Sequence, residues 1–244
     1  MRRSYCSASV LTLFLTLLLS ASGYVRMDEL VLWYTFDEVQ GQVVIDDSGN
    51  GLDATVHDNP ESLDSPNGMA LKFDGDKDKL SLAYTDALNL PSYTVSIWMN
   101  TEKASATFTG VFGRSGRQNC FWIRNGQTDS WGVHHRYRDG SNTNHGPPNA
   151  GASPHGEWVL VTLTRDSNVS ATYVDGQRVA TGTVSHEYMS NRSTLYLGAN
   201  PDNGNGQWYK GQLDDVRLYK VAMSDAEVMQ LYTGGKGDFS EAPQ

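Results

Sequence analysis

The sequence is short of cysteine, of basic residues and of long apolar runs, and each shortage excludes a class of protein. Its two cysteines are Cys6, in a segment that we expect to be removed, and Cys120, so the remaining chain cannot form an internal disulfide. Lysine and arginine total 19 against 28 aspartate and glutamate residues, which disfavours nucleic acid as a partner because such binding needs a basic surface. The longest apolar run, residues 10–19, is about half of the roughly 20 residues that a transmembrane helix needs. We therefore expect no disulfide framework, no nucleic-acid partner and no transmembrane segment.

Residues 1–23 have the composition of a secretory signal peptide. Arg2 and Arg3 precede the apolar run, and small residues from Ser20 to Gly23 follow it, as a cleavage site requires. No cysteine stands at the cleavage point to accept a lipid. We therefore expect a secreted protein, extracellular or periplasmic, in which 17 basic residues remain against 28 acidic ones.

Short stretches of alternating apolar and polar residues predict strands in the remaining chain. The clearest stretch, residues 157–182, indicates three antiparallel strands, in which Val159, Val161 and Leu163 share one face by the period of two. Asp-Gly at 175–176 separates the second strand from the third and favours a type I′ hairpin turn. Because three strands bury too little surface to be stable alone, we expect a second sheet to cover them.

One helix is predicted, after the last strand. Ser224 and Glu227 have the spacing of a capping box ahead of the apolar positions in residues 228–232, and Gly234 follows them. We expect a short helix that closes one end of the fold, and a disordered polar tail over residues 236–244.

The predicted three-strand meander carries a family resemblance. With Trp158 at its start and Tyr-Val-Asp-Gly at 173–176, it resembles the signature of laminin G-like, concanavalin A-like jelly-roll domains of the secreted type. Other segments fit the same pattern in the family's order, namely residues 30–38 with 46–51, 71–80 leading to 93–99, and 211–228. The resemblance implies an all-β fold, a two-sheet antiparallel jelly-roll sandwich with one short C-terminal helix, and one such domain over residues 24–235. That fold hosts binding modules, structural spacers and some enzymes.

Oxygen-bearing side chains stand at two places that the fold of this family brings together. Glu38 ends the first predicted strand, a tight loop follows at residues 46–51, and two aspartates lie in the last long strand, which in such domains pairs with the first. Ca²⁺ takes roughly six to eight oxygen ligands, and similar domains often hold calcium at this end of the sandwich. The residues predicted to bind a structural Ca²⁺ are Glu38, Asp47, Asn50, Asp214 and Asp215.

A simpler interpretation of the same acidic residues stays open. Asp46 and Asp47 are common turn formers, and Asp215 could pair with Arg217 or Lys220 instead of a metal ion.

Residues 131–151 combine aromatic, basic and amide side chains with a long loop rich in glycine, asparagine and proline. An aromatic surface bordered by polar groups suits a sugar, whose C–H face stacks on rings while its hydroxyls form hydrogen bonds. The residues predicted to bind a glycan are Trp122, Trp131, His135, Tyr137 and Trp208. The alternative is that these aromatic residues belong to the core, where most aromatic residues of a sandwich are found.

Motifs of hydrolytic enzymes are absent from the sequence. Its acidic residues stand mostly in turns, and no Glu-x-Asp-x-x-Glu pattern places two carboxylates about 5 Å apart on one strand face, as retaining glycosidases need. We therefore expect an exported, non-catalytic module that binds an extracellular or cell-envelope glycan. Two alternatives stay open: a structural or adhesive domain that binds other proteins, and a glycoside hydrolase.

Overall fold

Two antiparallel sheets, packed face to face, form the jelly-roll sandwich that the sequence predicts. The computed structural model describes residues 25–104, 109–114, 118–125, 130–138, 144–145, 150–167, 169–183, 192–199 and 207–234. Its strands are β1 (Leu30–Tyr34), β2 (Val39–Gln40), β3 (Val43–Val44), β4 (Ala54–His57), β5 (Glu61–Ser65), β6 (Gly68–Asp74), β7 (Lys79–Leu82), β8 (Tyr93–Thr101), β9 (Thr109–Arg114), β10 (Gln118–Asn125), β11 (Ser130–Arg138), β12 (Asn144–His145), β13 (Ala150–Pro154), β14 (Trp158–Asp166), β15 (Val169–Val174), β16 (Gln177–Thr183), β17 (Leu195–Leu197) and β18 (Lys210–Tyr219). One α-helix, α1 (Asp225–Gly234), and two short 3-10 helices, Met27–Glu29 and Asp86–Leu88, complete the described elements.

Strands from distant parts of the chain alternate within each sheet. Sheet A has eight strands in the order β16-β15-β14-β8-β18-β6-β5, with β1 also paired to β18. Sheet B has ten strands in the order β12-β11-β10-β9-β17-β7-β4-β3-β2, with β13 also paired to β11. The meander predicted over residues 157–182 is therefore β14-β15-β16, one edge of sheet A.

Alternate residues of both sheets fill the space between them. In β8, Val95, Ile97 and Met99 are at most 2% exposed and belong to the same apolar cluster as Leu80 and Leu197 of sheet B. The period of two in the sequence therefore identifies the inner face correctly. Truncating one of these side chains to alanine is expected to cost about 2–5 kcal/mol.

The hairpin between β15 and β16 has the geometry that Asp-Gly predicts. Asp175 has φ 49° and Gly176 has φ 75°, the positive values that a type I′ turn needs at both central positions. A Cβ atom at Gly176 would lie 2.9 Å from the sulfur of Met229 in α1. Glycine thus serves both the turn and the close approach of the helix.

The first and last long strands are neighbours, as expected. The first half of β18 pairs with β6, and its second half pairs with β1, from Val216 opposite Tyr34 to Tyr219 opposite Leu30. A β-bulge at Asp214 and Asp215 separates the two halves, and Asp215 has φ 49°.

Helix α1 begins with the predicted capping box. The backbone N–H of Ser224 donates to Glu227 Oε2 at 2.8 Å, and the N–H of Glu227 donates to Ser224 Oγ at 3.4 Å. Val228 and Leu231 of the helix pack with Leu160 of β14 in a second apolar cluster on the outer side of sheet A. The prediction that the helix closes an end of the sandwich is wrong, because Leu160 alternates with the core residues of β14 and gives that sheet an apolar outer face for the helix to cover.

The predicted signal peptide, residues 1–23, and the predicted tail, residues 236–244, lie outside the described residues. Within the described ranges, no helix has the length and apolar character to cross a membrane.

Candidate ligand-binding face

The two sheets differ in what covers their outer sides. On sheet A, Thr94, Ser96 and Thr162 are at most 2% exposed, and α1 and the segment around Val25 pack on that side. On the outer side of sheet B, Thr55 of β4 is exposed, and Ser81 of β7 and Tyr196 of β17 are half-buried. We call this outer side of sheet B, in strands β4, β7, β17, β9, β10 and β11, the open face.

Three short strands present polar and aromatic residues on the open face because their neighbours are core residues. The buried neighbours are Ala54 and Val56 in β4, Leu80 and Leu82 in β7, and Leu195 and Leu197 in β17. The residues between them form one cross-strand row, in which Thr55, Ser81, Tyr196 and Gly113 lie side by side. Gly113, which is buried, has no side chain, so Tyr196 meets no side chain at its paired position in β9.

A histidine and a serine form a hydrogen bond beside this row. The Nε2 atom of His57 lies 2.6 Å from Ser81 Oγ, and His57 pairs across the strands with Lys79. Partial burial, followed by repulsion from the Lys79 ammonium, lowers the pKa of the His57 imidazole. The imidazole is therefore neutral at pH 7, with one ring nitrogen as a donor and the other as an acceptor.

Trp208 lies at the same face, next to Lys79. The Nζ atom of Lys79 is 5.2 Å from the centre of the indole ring, within the range of a cation–π contact. The following residue, Tyr209, is fully buried and packs edge-on against Phe73 with ring centres 6.1 Å apart. The backbone N–H of Tyr209 also donates to the carbonyl of Gly198 at 2.9 Å. Trp208 is therefore held at a fixed position, half-exposed.

The open face thus offers the groups that recognise a sugar. Tyr196 and Trp208 supply half-exposed rings, Ser81 and His57 supply a donor and an acceptor, and Lys79 supplies a positive charge. Rings accept the C–H face of a sugar, and the polar groups can bond its hydroxyls.

The register of β10 and β11 divides the aromatic residues predicted to bind a glycan. Trp122 pairs with His134, whereas His135 pairs with Phe121, and Phe121 pairs with the core residue Phe112. Paired residues share a sheet face, so Trp122 falls on the open face, and Trp131, His135 and Tyr137 fall on the face continuous with the inner side of sheet B. The register therefore keeps the positions of Trp131, His135 and Tyr137 on one face, as the alternation within that strand predicts, and puts the position of Trp122 on the other face.

Of the five predicted glycan-binding residues, Trp122 and Trp208 lie on the open face. Whether they bind a glycan stays a prediction.

Four residues of the open face are missing from the sequence-based prediction: His57, Lys79, Ser81 and Tyr196. Each is a single polar or aromatic residue next to buried residues in a strand of three or four residues, a pattern too short to stand out. They meet only because β17 pairs with β7 and β7 with β4, and that strand order cannot be read from local sequence.

In the loop at residues 46–51, the buried carboxylate belongs to Asp46, not to the predicted calcium ligand Asp47. Asp46 is 5% exposed and accepts four hydrogen bonds, from the backbone N–H groups of Trp33, Ser48 and Leu52 and from Ser48 Oγ, at 2.8 to 3.1 Å. Both of its oxygens are used to fix the loop to β1, so the acid acts as a turn former, as in the alternative interpretation.

The predicted calcium ligands near β1 have partners or positions of their own. Asp47 is exposed and accepts a hydrogen bond from Thr35 Oγ1 at 2.7 Å. The amide nitrogen of Asn50 donates to the carbonyls of Leu30 and Val31, both at 3.0 Å. Glu38 is exposed and stands four residues after the end of β1, which closes at Tyr34 and not at Glu38.

Asp214 and Asp215 are buried in the bulge of β18. Asp214 accepts a hydrogen bond from Ser65 Oγ at 2.6 Å. Asp215 forms an ion pair with Arg217, in which Arg217 Nη2 lies 2.7 Å from Asp215 Oδ2, and it accepts a hydrogen bond from Trp33 Nε1 at 2.5 Å. The alternative prediction of an Asp215–Arg217 salt bridge is confirmed.

This arrangement does not fit a cation shared by the five predicted ligands. Within the described ranges, no three His, Cys, Asp or Glu side chains come together in a way that could hold a metal ion. Calcium binding stays a prediction, which chelation can test.

The fold is shared with solved domains of several functions. Domain 4 of an extracellular arabinanase from Geobacillus stearothermophilus, solved with arabinotriose, has 20% identity and a TM-score of 0.62 over 84% of this chain and 98% of that one. The binding domain of Paraclostridial Mosquitocidal Protein 1 has 15% identity and a TM-score of 0.69 over 84% of this chain and 52% of that one. The sialidase of Trypanosoma rangeli has 17% identity and a TM-score of 0.63 over 85% of this chain and 33% of that one. At these identities the likeness shows the fold alone.

A search of curated proteins gave no match. A family model, Laminin_G_3, described as the concanavalin A-like lectin/glucanases superfamily, matches residues 74–229. This segment runs from the end of β6 into α1 and contains most of the open face. The chain belongs to the concanavalin A-like lectin/glucanase superfamily.

Proposed function

We propose that this protein is a binding module that binds a glycan on the open face and does not hydrolyse it. The observation that carries the proposal is the half-exposed pair Tyr196 and Trp208, which share the face with Ser81, His57 and Lys79. The rings match the apolar face of a sugar, and the polar groups match its hydroxyls.

The charges of sheet B support binding without hydrolysis. Asp or Glu occurs at none of the positions that the structure assigns to strands of sheet B. Glycoside hydrolysis by the common mechanisms needs two carboxyl groups on either side of the scissile bond. A sugar lying across these strands would meet no such pair from the strands themselves.

The family and its neighbours support the same role. A domain of similar fold was solved with arabinotriose, and this chain spans 98% of it. Residues 1–23, which resemble a signal peptide, support export, so the proposed partner is an extracellular or cell-envelope glycan.

The test is a polysaccharide array followed by titration of the best ligand. Tyr196→Ala and Trp208→Ala should each weaken binding by about twofold to tenfold, because one aromatic contact is worth about 0.5–1.5 kcal/mol. Tyr232→Ala is the control, because Tyr232 of α1 packs on Trp98 at the outer side of sheet A, with ring centres 5.9 Å apart. Equal weakening by all three variants, or no polysaccharide bound at all, would refute the proposal.

One observation favours the alternative of a protein-binding domain. Strand β16 is an edge of sheet A, and Val179 on it is 41% exposed. Unpaired strand edges can add a strand from another protein. A protein partner whose binding is lost in Val179→Lys and kept in Trp208→Ala would replace the glycan proposal.

A further inference from the structure

Acidic residues are divided unequally between the two sheets. The strands of sheet A contain Glu61, Asp64, Asp74, Asp166, Asp214 and Asp215, whereas the described strands of sheet B contain no carboxylate. The whole chain has a formal net charge of −9. The described strands of sheet B therefore carry no negative side chain, and the nearest aspartates stand just outside β4 and β7.

Basic residues stand on the same side of sheet B as the candidate rings. Lys79 and His57 pair across β7 and β4 on the open face. In β10 and β11, the register places Arg124, His134 and Arg136 at the positions that share a face with Trp122. Arg138 follows at the same parity and pairs with Asn144. Lys79 and the arginine positions of β10 and β11 thus bring positive charge to one face of sheet B, whereas the His57 imidazole is neutral at pH 7.

Lys79 differs in its partner from three other described lysines. Lys72 and Lys210 both lie within 3.6 Å of Glu102, and Lys220 lies 3.5 Å from Glu29. Among the described residues Lys79 forms no ion pair, and its ammonium instead lies over the Trp208 ring. The acids that flank these strands are Asp53 and Asp58 at the ends of β4 and Asp78 directly before Lys79. Asp78 is 5% exposed and accepts hydrogen bonds from the backbone N–H groups of Asn59 and Asp74. The positive charge of Lys79 thus lies beside the Trp208 ring and, within the described ranges, forms no ion pair with a carboxylate.

We propose that the ligand of the open face is an anionic polysaccharide, in which a carboxylate or sulfate group pairs with Lys79 while its sugar ring stacks on Trp208. The proposal rests on the proposed function and adds the charge of the ligand. An anionic chain also fits the direction of the basic residues, which follow the open face across the strands.

Two pairs of polymers that differ only in charge provide the test. Polygalacturonate is compared with its fully methylated ester, and dextran sulfate with dextran, by titration calorimetry at low and high NaCl. At least one anionic polymer should bind about tenfold more tightly than its neutral counterpart, because one exposed ion pair contributes up to about fivefold and several basic residues share the face. The pair that shows the difference tells carboxylate from sulfate. Binding should weaken in 1 M NaCl, where the screening length falls to about 3 Å.

A charge-matched variant locates the contact. Lys79→Gln should weaken binding of the anionic polymer about fivefold and leave the neutral polymer unchanged. Lys79→Arg should keep most of the affinity. Lys72→Gln removes the same unit charge from sheet A and should have no effect.

The outcomes separate this proposal from the proposed function. Equal affinity for charged and neutral polymers, lost in Trp208→Ala, would overturn the anionic ligand and keep the glycan-binding face. Duplex DNA binding as tightly as the anionic polymers would overturn it too, because the face would then recognise charge and not sugar. No binding to any polysaccharide would refute both proposals.

Discussion

The ion pair between Asp215 and Arg217 allows a sharp test of the structure. Its side chains are only 5% and 3% exposed, and Asp215 also accepts a hydrogen bond from Trp33 Nε1. The Arg217 guanidinium lies 5.0 Å from the centre of the Trp33 ring. We predict that Asp215→Asn lowers the free energy of unfolding by about 3–5 kcal/mol, because it leaves Arg217 buried without its counter-charge.

Asparagine is chosen so that backbone strain does not contribute. Asp215 has φ 49°, a value that asparagine tolerates and most other residues do not. Arg217→Met should also destabilise the protein, since it leaves Asp215 buried without a cation. The double variant should lose less than the sum of the two single losses, because no unpaired charge is then buried.

Urea denaturation at pH 7 measures all three variants. With a slope of about 2 kcal/mol/M, a loss of 3–5 kcal/mol moves the midpoint by about 1.5–2.5 M. Such a loss is a large part of the roughly 5–15 kcal/mol that stabilises most domains. A shift below about 0.5 M for Asp215→Asn, or strictly additive losses, would show that the pair is solvated and that the reasoning is wrong. Adding a chelator throughout excludes a bound metal as the cause.

The loop around Asp46, the expected calcium and the helix cap give three further tests. Asp46→Ala should cost about 3 kcal/mol or more by urea denaturation, because it leaves buried N–H groups without an acceptor; the exposed neighbour Asp47→Ala should cost less than about 1 kcal/mol, and equal losses would contradict this. If calcium binds, a chelator should lower the melting temperature by several degrees, since an ion at 100 times its Kd adds about 2.7 kcal/mol; an unchanged melt in metal-free protein would remove the calcium prediction. Hydrogen bonds from Ser224 lower the pKa of Glu227 below its ordinary value of 4.5, so its stabilisation is present above pH 4.5 and lost as the pH falls through the folded value; Glu227→Gln should flatten the pH dependence of stability in that range, and an unchanged pH profile would contradict the cap.

Features set by neighbouring residues are predictable from this sequence. The β14-β15-β16 meander follows from alternation, its second turn from the Asp-Gly pair, and the start of α1 from the spacing of Ser224 and Glu227. In each case the residues that decide the structure lie within a few positions of one another, so local sterics and hydrogen bonds are sufficient.

Features that need the pairing of distant strands are not predictable in the same way. Trp122 and His135 lie on opposite faces only because Trp122 is opposite His134, and a shift of one residue in that register would reverse the result. Likewise, Asp46 and not Asp47 turns inward because its oxygens meet the backbone of Trp33, 13 residues earlier. The sequence shows two adjacent aspartates, and only the fold distinguishes them.

The unequal covering of the two sheets connects the fold with the proposed function. On the outer side of sheet A, Asp214, Asp215 and Arg217 are at most 4% exposed, and their charges are paired or hydrogen-bonded within the protein. On the outer side of sheet B, Lys79 and Trp208 contact each other and remain half-exposed. Burying a charge without a partner is costly, so the covered side must satisfy its own polar groups, whereas an open side can keep them for a ligand. Within the described ranges, the strands of sheet B carry no carboxylate and no helix covers their outer side, so we propose that the partner binds there. The aromatic and basic residues on that side match a charged sugar chain.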